Sequence, residues 1–400
     1  MKKDSKFKKT EIGKAISINP KRDLKKETIA KKVSMDKLNP FTKKIKGFEV
    51  TEFKGGSKFV NGDTLLARIT PCLENGKTAY VDFLDEGEVG FGSTEFIVLF
   101  EKEGETINEF VYYLAISPIF RHQAISSMTG TSGRQRVQTN FLEIKEIEIP
   151  PLPEQSAIAH ILSTLDEKIE LLQKQNKTLE EIGQAIFKKW FIDNSEKEGW
   201  EEGKLGDFVE CVSGCSYTSK GLESSDKALV TLKSVGVEGF KQEGFKEYTE
   251  EYREKQVVEE GDIVVAHTDL TQNQIILGKP VIVRDFGKYK KMIASMDLSI
   301  IRPIKLINKP FLYYLLSTNS FHGHAQGYAN GTTVIHLSRK AVPEFEFKMP
   351  NKELLKEFNT LSEKLFGRIK INDLQIQTLS QIRDSLLPKL MSGKIRVLIK

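Results

Sequence analysis

Several short patterns in this 400-residue chain combine residue types that enzymes use for catalysis or cofactor binding. Gly76-Lys77-Thr78 is like the end of a phosphate-binding loop, but Pro71 stands where that motif requires its first glycine. Gly87, Gly90 and Gly92 lack the spacing of a dinucleotide-binding fingerprint, and no helix pattern follows them. Neither pattern therefore predicts a nucleotide site.

The cysteines and histidines do not form a metal-ligand pattern either. Cys211 and Cys215 lack a second pair of ligands at a usable spacing, which argues against a zinc site. With Cys72 they make an odd number of thiols, which is typical of a reducing cytoplasm. Three histidines in a polar stretch could converge, although most such histidines have no common ligand: His322, His324 and His336.

A DNA-modifying enzyme would need a recognisable catalytic element, and none is found. Asn39-Pro40-Phe41 is one proline short of the Asn-Pro-Pro-aromatic element of adenine methyltransferases, and no glycine-rich cofactor loop accompanies it. We therefore expect a binding protein that is not an enzyme and has no metal or cofactor of its own.

Composition and charge set further limits. The chain is 39% hydrophobic and 29% charged, and it has no apolar run of the roughly 18 residues that a membrane span needs. Its lysine-rich start lacks the apolar segment of a signal peptide, so we expect a cytoplasmic protein. At roughly 100–200 residues per domain, the length predicts two to four domains. Residues 1–46 carry 16 basic and 5 acidic residues of a total of 60 and 55. This basic segment fits either a nucleic-acid contact or a solubilising tail.

The most informative feature is an internal repeat with a period near 200 residues, which is far longer than a solenoid repeat. Matching segments recur at shifts of 199 to 201: Gly62-Asp63 and Gly261-Asp262, Phe110-Val-Tyr-Tyr-Leu114 and Phe311-Leu-Tyr-Tyr-Leu315, Gly130-Thr131 and Gly331-Thr332, Pro150 and Pro350, and Thr178-Leu179 and Thr378-Leu379. The chain is therefore a duplicated two-part unit.

Each unit has the same predicted order of elements. Short strand patterns come first, then a short helix with a Tyr-Tyr pair, a polar Gly/Thr loop, another strand and a long helix. This order predicts an α/β (α+β) fold with two globular domains, at residues 1–150 and 196–349, and two helices, at 151–195 and 350–400. The two tyrosine pairs are expected to face the domain cores.

The long helices carry apolar residues at alternating spacings of four and three, which is typical of a helix that packs on another helix. We expect them over 155–191 and 352–391, with Pro388 loosening the last turn and Gly393 ending it. The predicted seam consists of Ile158, Leu162, Leu165, Ile169, Leu172, Asn176, Leu179, Ile186, Leu365, Ile369, Asn372, Ile376, Leu379 and Leu386.

Two seams in one chain most simply pack on each other as an antiparallel pair. In a register symmetric about the helix centres, Asn176 faces Asn372, although the two are not equivalent by repeat position. The seam thus predicts that these asparagines meet and fix the register, as buried asparagines do in coiled coils. The alternative places each of them at a solvated edge.

Several motifs resemble those of the specificity subunits of type I restriction–modification systems. The helical motifs are Pro151-Leu-Pro-Glu-Gln155, Ile161-Leu-Ser-Thr-Leu-Asp-Glu-Lys-Ile169, Asn176-Lys-Thr-Leu-Glu180, Phe187-Lys-Lys-Trp-Phe191 and Leu386-Leu-Pro-Lys-Leu-Met-Ser-Gly393. In the first domain, Arg68-Ile-Thr-Pro71 and Glu74-Asn-Gly-Lys77 are similar to a segment of the family's target-recognition domains. The resemblance extends over essentially the whole chain.

This resemblance implies two target-recognition domains held apart by an antiparallel coiled coil, each reading one half of an asymmetric DNA target. It also implies two adenine-N6 methyltransferase subunits as partners, which would bind S-adenosylmethionine, and nuclease–translocase (restriction) subunits. A single-chain methyltransferase or endonuclease and a coiled-coil adaptor without a DNA role are the competing hypotheses.

DNA contact would fall to polar loops, since Arg, Asn and Gln bond base edges and Lys, Thr and Ser suit phosphate. The first-domain candidates are Arg68, Asn75, Lys77, Thr129, Thr131, Ser132, Arg134, Gln135 and Arg136. The second-domain candidates are His267, Thr268, Thr271, Gln272, Asn273, Gln274, Tyr328, Asn330, Thr332 and Thr333. The Gly/Thr loops occupy the same repeat position, so they could instead position the backbone within each domain.

Overall fold

A computed structural model describes residues 7–131, 133–237, 239–241, 244–269, 275–285, 287–331 and 334–397. The chain forms two compact units, Met1–Leu171 with Gln375–Lys400 and Leu172–Leu374. Each unit contains one globular domain and a part of each of two long helices. Both domains combine sheets with short helices, which confirms the predicted α/β (α+β) class.

The first domain is built on two four-stranded sheets within its described residues. Its strands are β1 (Lys8–Glu11), β2 (Ile16–Ile18), β3 (Ile29–Val33), β4 (Glu49–Glu52), β5 (Ser57–Phe59), β6 (Thr64–Ala67), β7 (Thr78–Tyr80), β8 (Gly90–Gly92), β9 (Phe96–Glu101), β10 (Met128–Thr129), β11 (Arg136–Val137) and β12 (Glu146–Ile149). Its helices are α1 (Ile12–Ala15), α2 (Asn108–Ile116), α3 (Pro118–Ser126) and α4 (Thr139–Glu143). The sheet orders are β2-β9-β6-β7 and β4-β3-β8-β5, and β1 pairs with β12.

The long helix α5 (Leu152–Phe187) follows, and the second domain repeats the first. Its strands are β13 (Glu201–Lys204), β14 (Val209–Ser213), β15 (Lys227–Val230), β16 (Val235–Gly236), β17 (Gly239–Phe240), β18 (Phe245–Glu247), β19 (Val257–Val258), β20 (Ile263–Ala266), β21 (Thr268–Asp269), β22 (Pro280–Ile282), β23 (Lys291–Ala294), β24 (Leu298–Pro303), β25 (Ala329–Asn330), β26 (Ile335–Leu337) and β27 (Glu346–Met349). Its helices are α6 (Lys309–Leu316) and α7 (Asn319–Gly327), and α8 (Lys352–Met391) is the second long helix. The sheet orders β14-β24-β20-β22 and β18-β15-β23-β19 match those of the first domain. The internal repeat is thus a repeat of topology.

The repeated Gly-Asp pair makes the same turn before a buried central strand in each domain. Gly62 and Gly261 have φ angles of +92° and +86°, which glycine adopts without a steric penalty. The Asp63 carboxylate accepts the backbone N–H of Val60 at 2.7 Å. This turn leads into β6, which is buried along its whole length between β9 and β7.

The tyrosine pairs lie on α2 and α6 and face the cores, as predicted. Tyr112 and Tyr113 are 1% and 0% exposed, and Tyr314 is 2% exposed. Burial at this level excludes these three as surfaces on which DNA bases could stack. Tyr313 is half-buried and packs on Phe366 with ring centroids 6.0 Å apart.

A second helix follows each tyrosine helix, where the sequence predicts only a polar loop. The hydroxyl of Ser117 accepts the Phe120 N–H at the start of α3, and Pro118 occupies the first helical position. Thr318 caps α7 in the same way through the Phe321 N–H. Each of these helices buries a phenylalanine, Phe120 or Phe321, which fixes it to the core.

The ends of the long helices differ from the prediction in two places. The α-helical part of α5 ends at Phe187, and a π-helical turn follows at Lys188–Ile192. The sequence predicts a continuous α-helix there. Pro388 does not end or open α8, which runs to Met391 and is followed by Gly393 at a φ of +70°. Because proline has no backbone N–H, one hydrogen bond of the helix is missing at Pro388. The Pro388 carbonyl still accepts the Ser392 N–H at 3.1 Å. No helix in the described part of the chain is long and apolar enough to cross a membrane.

Every residue of the predicted seam is buried or half-buried. Within the second unit, Asn372 Nδ2 donates to Asn176 Oδ1 at 2.8 Å, so the predicted asparagine pair is present. Asn176 Nδ2 in turn donates to Asp373 Oδ1 at 2.8 Å, and Asp373 forms an ion pair with Arg284 of the globular domain. The register of the helices is thereby linked to the position of that domain.

Candidate nucleic-acid interface

The first-domain candidates gather around the hairpin β10–β11, in which Met128 pairs with Val137 and Thr129 with Arg136. Thr129, Thr131 and Arg134 are exposed on this hairpin. Ser132 lies outside the described residues. The predicted Gly/Thr loop is therefore the tip of a two-stranded hairpin whose polar side chains face solvent.

The segment 68–70 lies directly beside this hairpin. Thr70 N donates to the Gln135 carbonyl at 3.0 Å, and Val137 N donates to the Arg68 carbonyl at 3.0 Å. The Arg68 side chain also donates from Nε to the Val137 carbonyl at 3.1 Å. The structure thus brings together two groups of candidates that are more than 60 residues apart in the chain.

Arg136 is held by a carboxylate that the sequence analysis did not single out. Its Nε and Nη2 donate to Glu95 Oε1 at 2.9 and 2.7 Å, a fork geometry that also raises the pKa of Arg136. Glu95 takes the Nε and Nη2 edge of the guanidinium and Nη1 lies 3.4 Å from the Arg134 carbonyl, so Arg136 ties the hairpin to Glu95. Arg134 is the hairpin arginine that remains exposed.

The loop 71–77 is held from three directions. Arg121 Nη2 donates to the carbonyls of Leu73 and Glu74 at 3.2 and 2.8 Å, and Lys77 Nζ donates to the Met35 carbonyl at 2.9 Å. The Phe41 ring packs on Gly76, where a Cβ atom would lie 2.5 Å from the ring. These contacts present the exposed Asn75, while Lys77 is used to fix the loop.

The second domain has the corresponding hairpin, β25–β26, with β21 added at its side. Asn330 pairs with His336, and His336 pairs with Thr268 across the sheet. The loop between the strands contains Thr332 and Thr333, which lie outside the described residues, as do Thr271, Gln272, Asn273 and Gln274.

Most of the described candidates in this domain have intramolecular partners. The Thr268 hydroxyl donates to Asp297 Oδ1 at 3.1 Å, with His336 Nδ1 3.4 Å away. Tyr328 donates its hydroxyl to Glu344 Oε2 at 2.6 Å. Burial lowers the pKa of His267 to about 4, so that its ring is neutral at pH 7.

Of the predicted DNA contacts that the structure describes in the second domain, Asn330 alone is exposed. Its strand partner His336, considered above only as a possible metal ligand, is also exposed. The three histidines discussed as possible ligands do not meet: His324 bonds the Ala341 carbonyl at 2.9 Å and His322 lies 3.2 Å from Gln326. No group of three or more metal-ligating side chains occurs among the described residues.

The basic N-terminal segment is partly neutralised by acidic residues from later in the chain. Lys31 pairs with Glu88 at 2.7 Å and Lys43 with Glu109 at 2.9 Å. These contacts tie Lys31 and Lys43 to the folded domain. The N-terminal segment therefore attracts DNA less strongly than its count of basic residues suggests.

The sequence matches a known family over most of its length. The model described as the type I restriction modification DNA specificity domain matches twice, at residues 2–181 and 197–373. The two matches correspond to the two halves of the internal repeat.

Individual relatives give the same result. The chain is 28% identical over 322 residues to the type I restriction enzyme MjaIX specificity subunit of Methanocaldococcus jannaschii, covering 74% of this chain and 71% of the relative. It is 25% identical over 405 residues to the HindI specificity subunit of Haemophilus influenzae, covering 84% and 86%. The crystal structure of a type I restriction–modification S subunit from M. genitalium has a similar fold, with a TM-score of 0.54, 18% identity and coverage of 98% and 97%.

Proposed function

We propose that this chain, which belongs to the type I restriction–modification DNA specificity family, recognises an asymmetric DNA target made of two half-sites, one for each domain. It is a DNA-recognition subunit, and the catalytic activities reside in other subunits. The observation that carries the two-half-site proposal is the pair of hairpins, β10–β11 and β25–β26, which share a repeat position but carry different polar side chains.

The exposed candidates suggest how each half-site is read. In the first domain Arg134 presents a guanidinium and Asn75 an amide. A guanidinium can form two hydrogen bonds with the edge of a guanine, and an amide can form two with the edge of an adenine. In the second domain Asn330 and His336 are presented instead. Because the two sets of donors and acceptors differ, the two half-sites are expected to differ in sequence.

The partners follow from the family. We propose that the chain positions two adenine-N6 methyltransferase subunits, which bind S-adenosylmethionine, and restriction subunits on the target. The outer faces of the long helices support such docking, since α5 exposes Ile161, Leu171 and Ile182 to the extent of 36%, 48% and 43%. Docking of a partner on this face would bury these apolar side chains, which favours binding.

The test is to map methylated adenines in cells that express this chain with its methyltransferase partner. The proposal expects a split, asymmetric motif that disappears when the chain is omitted. A contiguous motif, or the same methylation without the chain, would contradict it. Methyl transfer by the purified chain alone would instead support a single-chain enzyme.

A further inference from the structure

The two long helices are repeat-equivalent, which raises the question of what makes α5 pair with α8. Residue i of α5 corresponds to residue i + 200 of α8, as in Thr178-Leu179 and Thr378-Leu379. Both helices carry apolar seams of the same spacing. Apolar seams alone discriminate poorly between partners, so an antiparallel α5–α5 or α8–α8 pair between two copies of the chain would be comparably favourable.

A buried ion pair lies where the tyrosine helix of the first domain meets both long helices, within the first unit. Arg383 Nη1 of α8 donates to Asp166 Oδ1 of α5 at 2.8 Å, and the Tyr113 hydroxyl donates to Asp166 Oδ2 at 2.8 Å. The side chains of Arg383 and Asp166 are only 13% and 10% exposed. Arg383 Nη2 also pairs with its neighbour Asp384 on α8 at 2.8 Å, whose side chain is 63% exposed. The buried Asp166 is thus compensated by Arg383 and the tyrosine, and Arg383 by Asp166 and the exposed Asp384.

The equivalent positions in the second unit carry uncharged side chains. Phe366 replaces Asp166 and packs on Tyr314 with ring centroids 5.7 Å apart. Gly183 replaces Arg383, and a Cβ atom there would lie 1.9 Å from the Tyr314 hydroxyl oxygen. That buried hydroxyl has no hydrogen-bond partner among the described residues. We call each set of two helix residues around the tyrosine a tyrosine socket. The first socket combines Asp166 with Arg383, and the second combines Phe366 with Gly183.

Pairing of like helices would mix these combinations. In an α5–α5 pair of the same register, residue 183 of one copy takes the place of Arg383, so Asp166 is buried opposite a glycine. In an α8–α8 pair, Arg383 is buried opposite Phe366. The α5–α5 pair buries Asp166 without its cation, and the α8–α8 pair leaves the buried Arg383 with only the exposed Asp384 of its own helix. Removing one partner of a buried ion pair is among the most costly changes in a protein interior.

We propose that Asp166 and Arg383 are partner-selecting residues, which make α5 pair with α8 and reject a second copy of the same helix. The selected partner is the other long helix of the chain, so the two non-identical domains stay together. The proposal concerns helix pairing alone and does not depend on the DNA target.

The asparagine pair in the second unit supports the same selection independently. Asn176 and Asn372 satisfy each other at 2.8 Å, whereas their repeat equivalents are Ile376 and Leu172. In the same register, an α5–α5 pair places Asn176 opposite a leucine and an α8–α8 pair places Asn372 opposite an isoleucine. Buried amides that face apolar side chains lose their hydrogen bonds, so like pairing is disfavoured at this second place too.

The test converts the first socket to the second one in steps, in the full-length chain. R383G reproduces the socket of an α5–α5 pair, D166F reproduces that of an α8–α8 pair, and D166F/R383G reproduces the matched apolar socket. Each single substitution is expected to lower the apparent melting temperature by on the order of 10 °C, and the double substitution by much less than their sum. If R383G does not fold and D166F/R383G folds, that outcome also supports the proposal, because the second substitution again offsets the first.

The exposed Gln381 provides the matched control, since Q381G reports how much a glycine alone destabilises this helix. Additive losses, or single substitutions no worse than Q381G, would overturn the pairing role of Asp166 and Arg383.

Partner choice itself is read from two differently tagged full-length chains that are unfolded and refolded together. The wild type should give particles with one kind of tag, whereas D166F/N176L/N372I/R383G should give at least several-fold more particles that carry both. Mixed particles in the wild type, or equally few in the fourfold variant, would overturn the proposal.

Discussion

Arg134 and Arg136 are two residues apart in one hairpin, yet only Arg136 has a carboxylate partner among the described residues of the domain. Arg136 is held in a fork by Glu95, while Arg134 is exposed. The same division appears at Lys77, which fixes its own loop, and Asn75, which the loop presents. Residue type therefore identifies a possible DNA contact, and the intramolecular partners decide whether the side chain is free to make it.

The hairpin arginines give the first prediction. In the assembled complex, R134A should weaken DNA binding and reduce the salt dependence by about one phosphate-equivalent if Arg134 contacts the backbone, and R134K should retain that slope. R136A should weaken binding by displacing the hairpin. Affinities measured over a range of salt concentrations check this, and unchanged affinity and slope in R134A/R136A would remove the hairpin from the DNA footprint.

His267 gives a prediction about pH. Its folded pKa of about 4 lies below the ordinary value near 6.5, so the unfolded chain binds a proton more readily between these values. The stability from the neutral ring is complete above pH 6.5 and is lost as the pH falls toward 4. Melting temperatures should therefore fall more steeply for the wild type than for H267Q in this window. Parallel curves would show that His267 does not contribute.

The elements obey simpler rules than the loops. The seam spacing and the Gly-Asp turns each follow from local periodicity or from one conformational requirement. The π-helical turn at Lys188–Ile192 departs from the seam pattern where Phe187 and Phe191 join the aromatic core of the second domain, 5.0 Å apart between ring centroids. The packing of these large rings in the core accompanies the change from an α-helical to a π-helical turn.

The asparagine pair gives the prediction for the helices. N176L or N372L alone should cost about 1–3 kcal/mol, since N176L leaves the buried Asn372 Nδ2 without its acceptor and N372L leaves Asn176 Oδ1 without its donor. The double variant should recover most of that loss, and denaturant unfolding of the full chain measures both. Equal, additive losses would mean that the two amides do not depend on each other.

At the scale of the whole molecule, duplication produces two domains with one topology and different loops. The same two sheet orders recur in both domains, and the hairpin recurs with them. A duplicated scaffold can therefore vary one set of loops without disturbing the other.

This arrangement predicts independent half-sites. N75A/R134A should relax or abolish recognition of one half of the methylated motif, and N330A/H336A the other half only. Methylation mapping in cells that express each variant with the methyltransferase partner measures this. Changes in both halves from a single domain would show that the half-sites are not read separately.

Sequence alone determined the duplication, the two long helices, the antiparallel register with its asparagine pair and the core position of the tyrosines. These features depend on spacing between nearby residues or on repetition, and both can be read along the chain. The additional helices α3 and α7 were missed because their polar composition is similar to that of a loop, although Ser117 and Thr318 are ordinary capping residues.

Only the tertiary structure decided which side chains are free. The partners Glu95 and Arg136 are 41 residues apart, and Thr70 and Gln135 are 65 residues apart. No periodicity connects such residues, because their meeting depends on how loops and sheets pack. The exposed polar side chains that could read DNA are those left over after these distant partners have been satisfied.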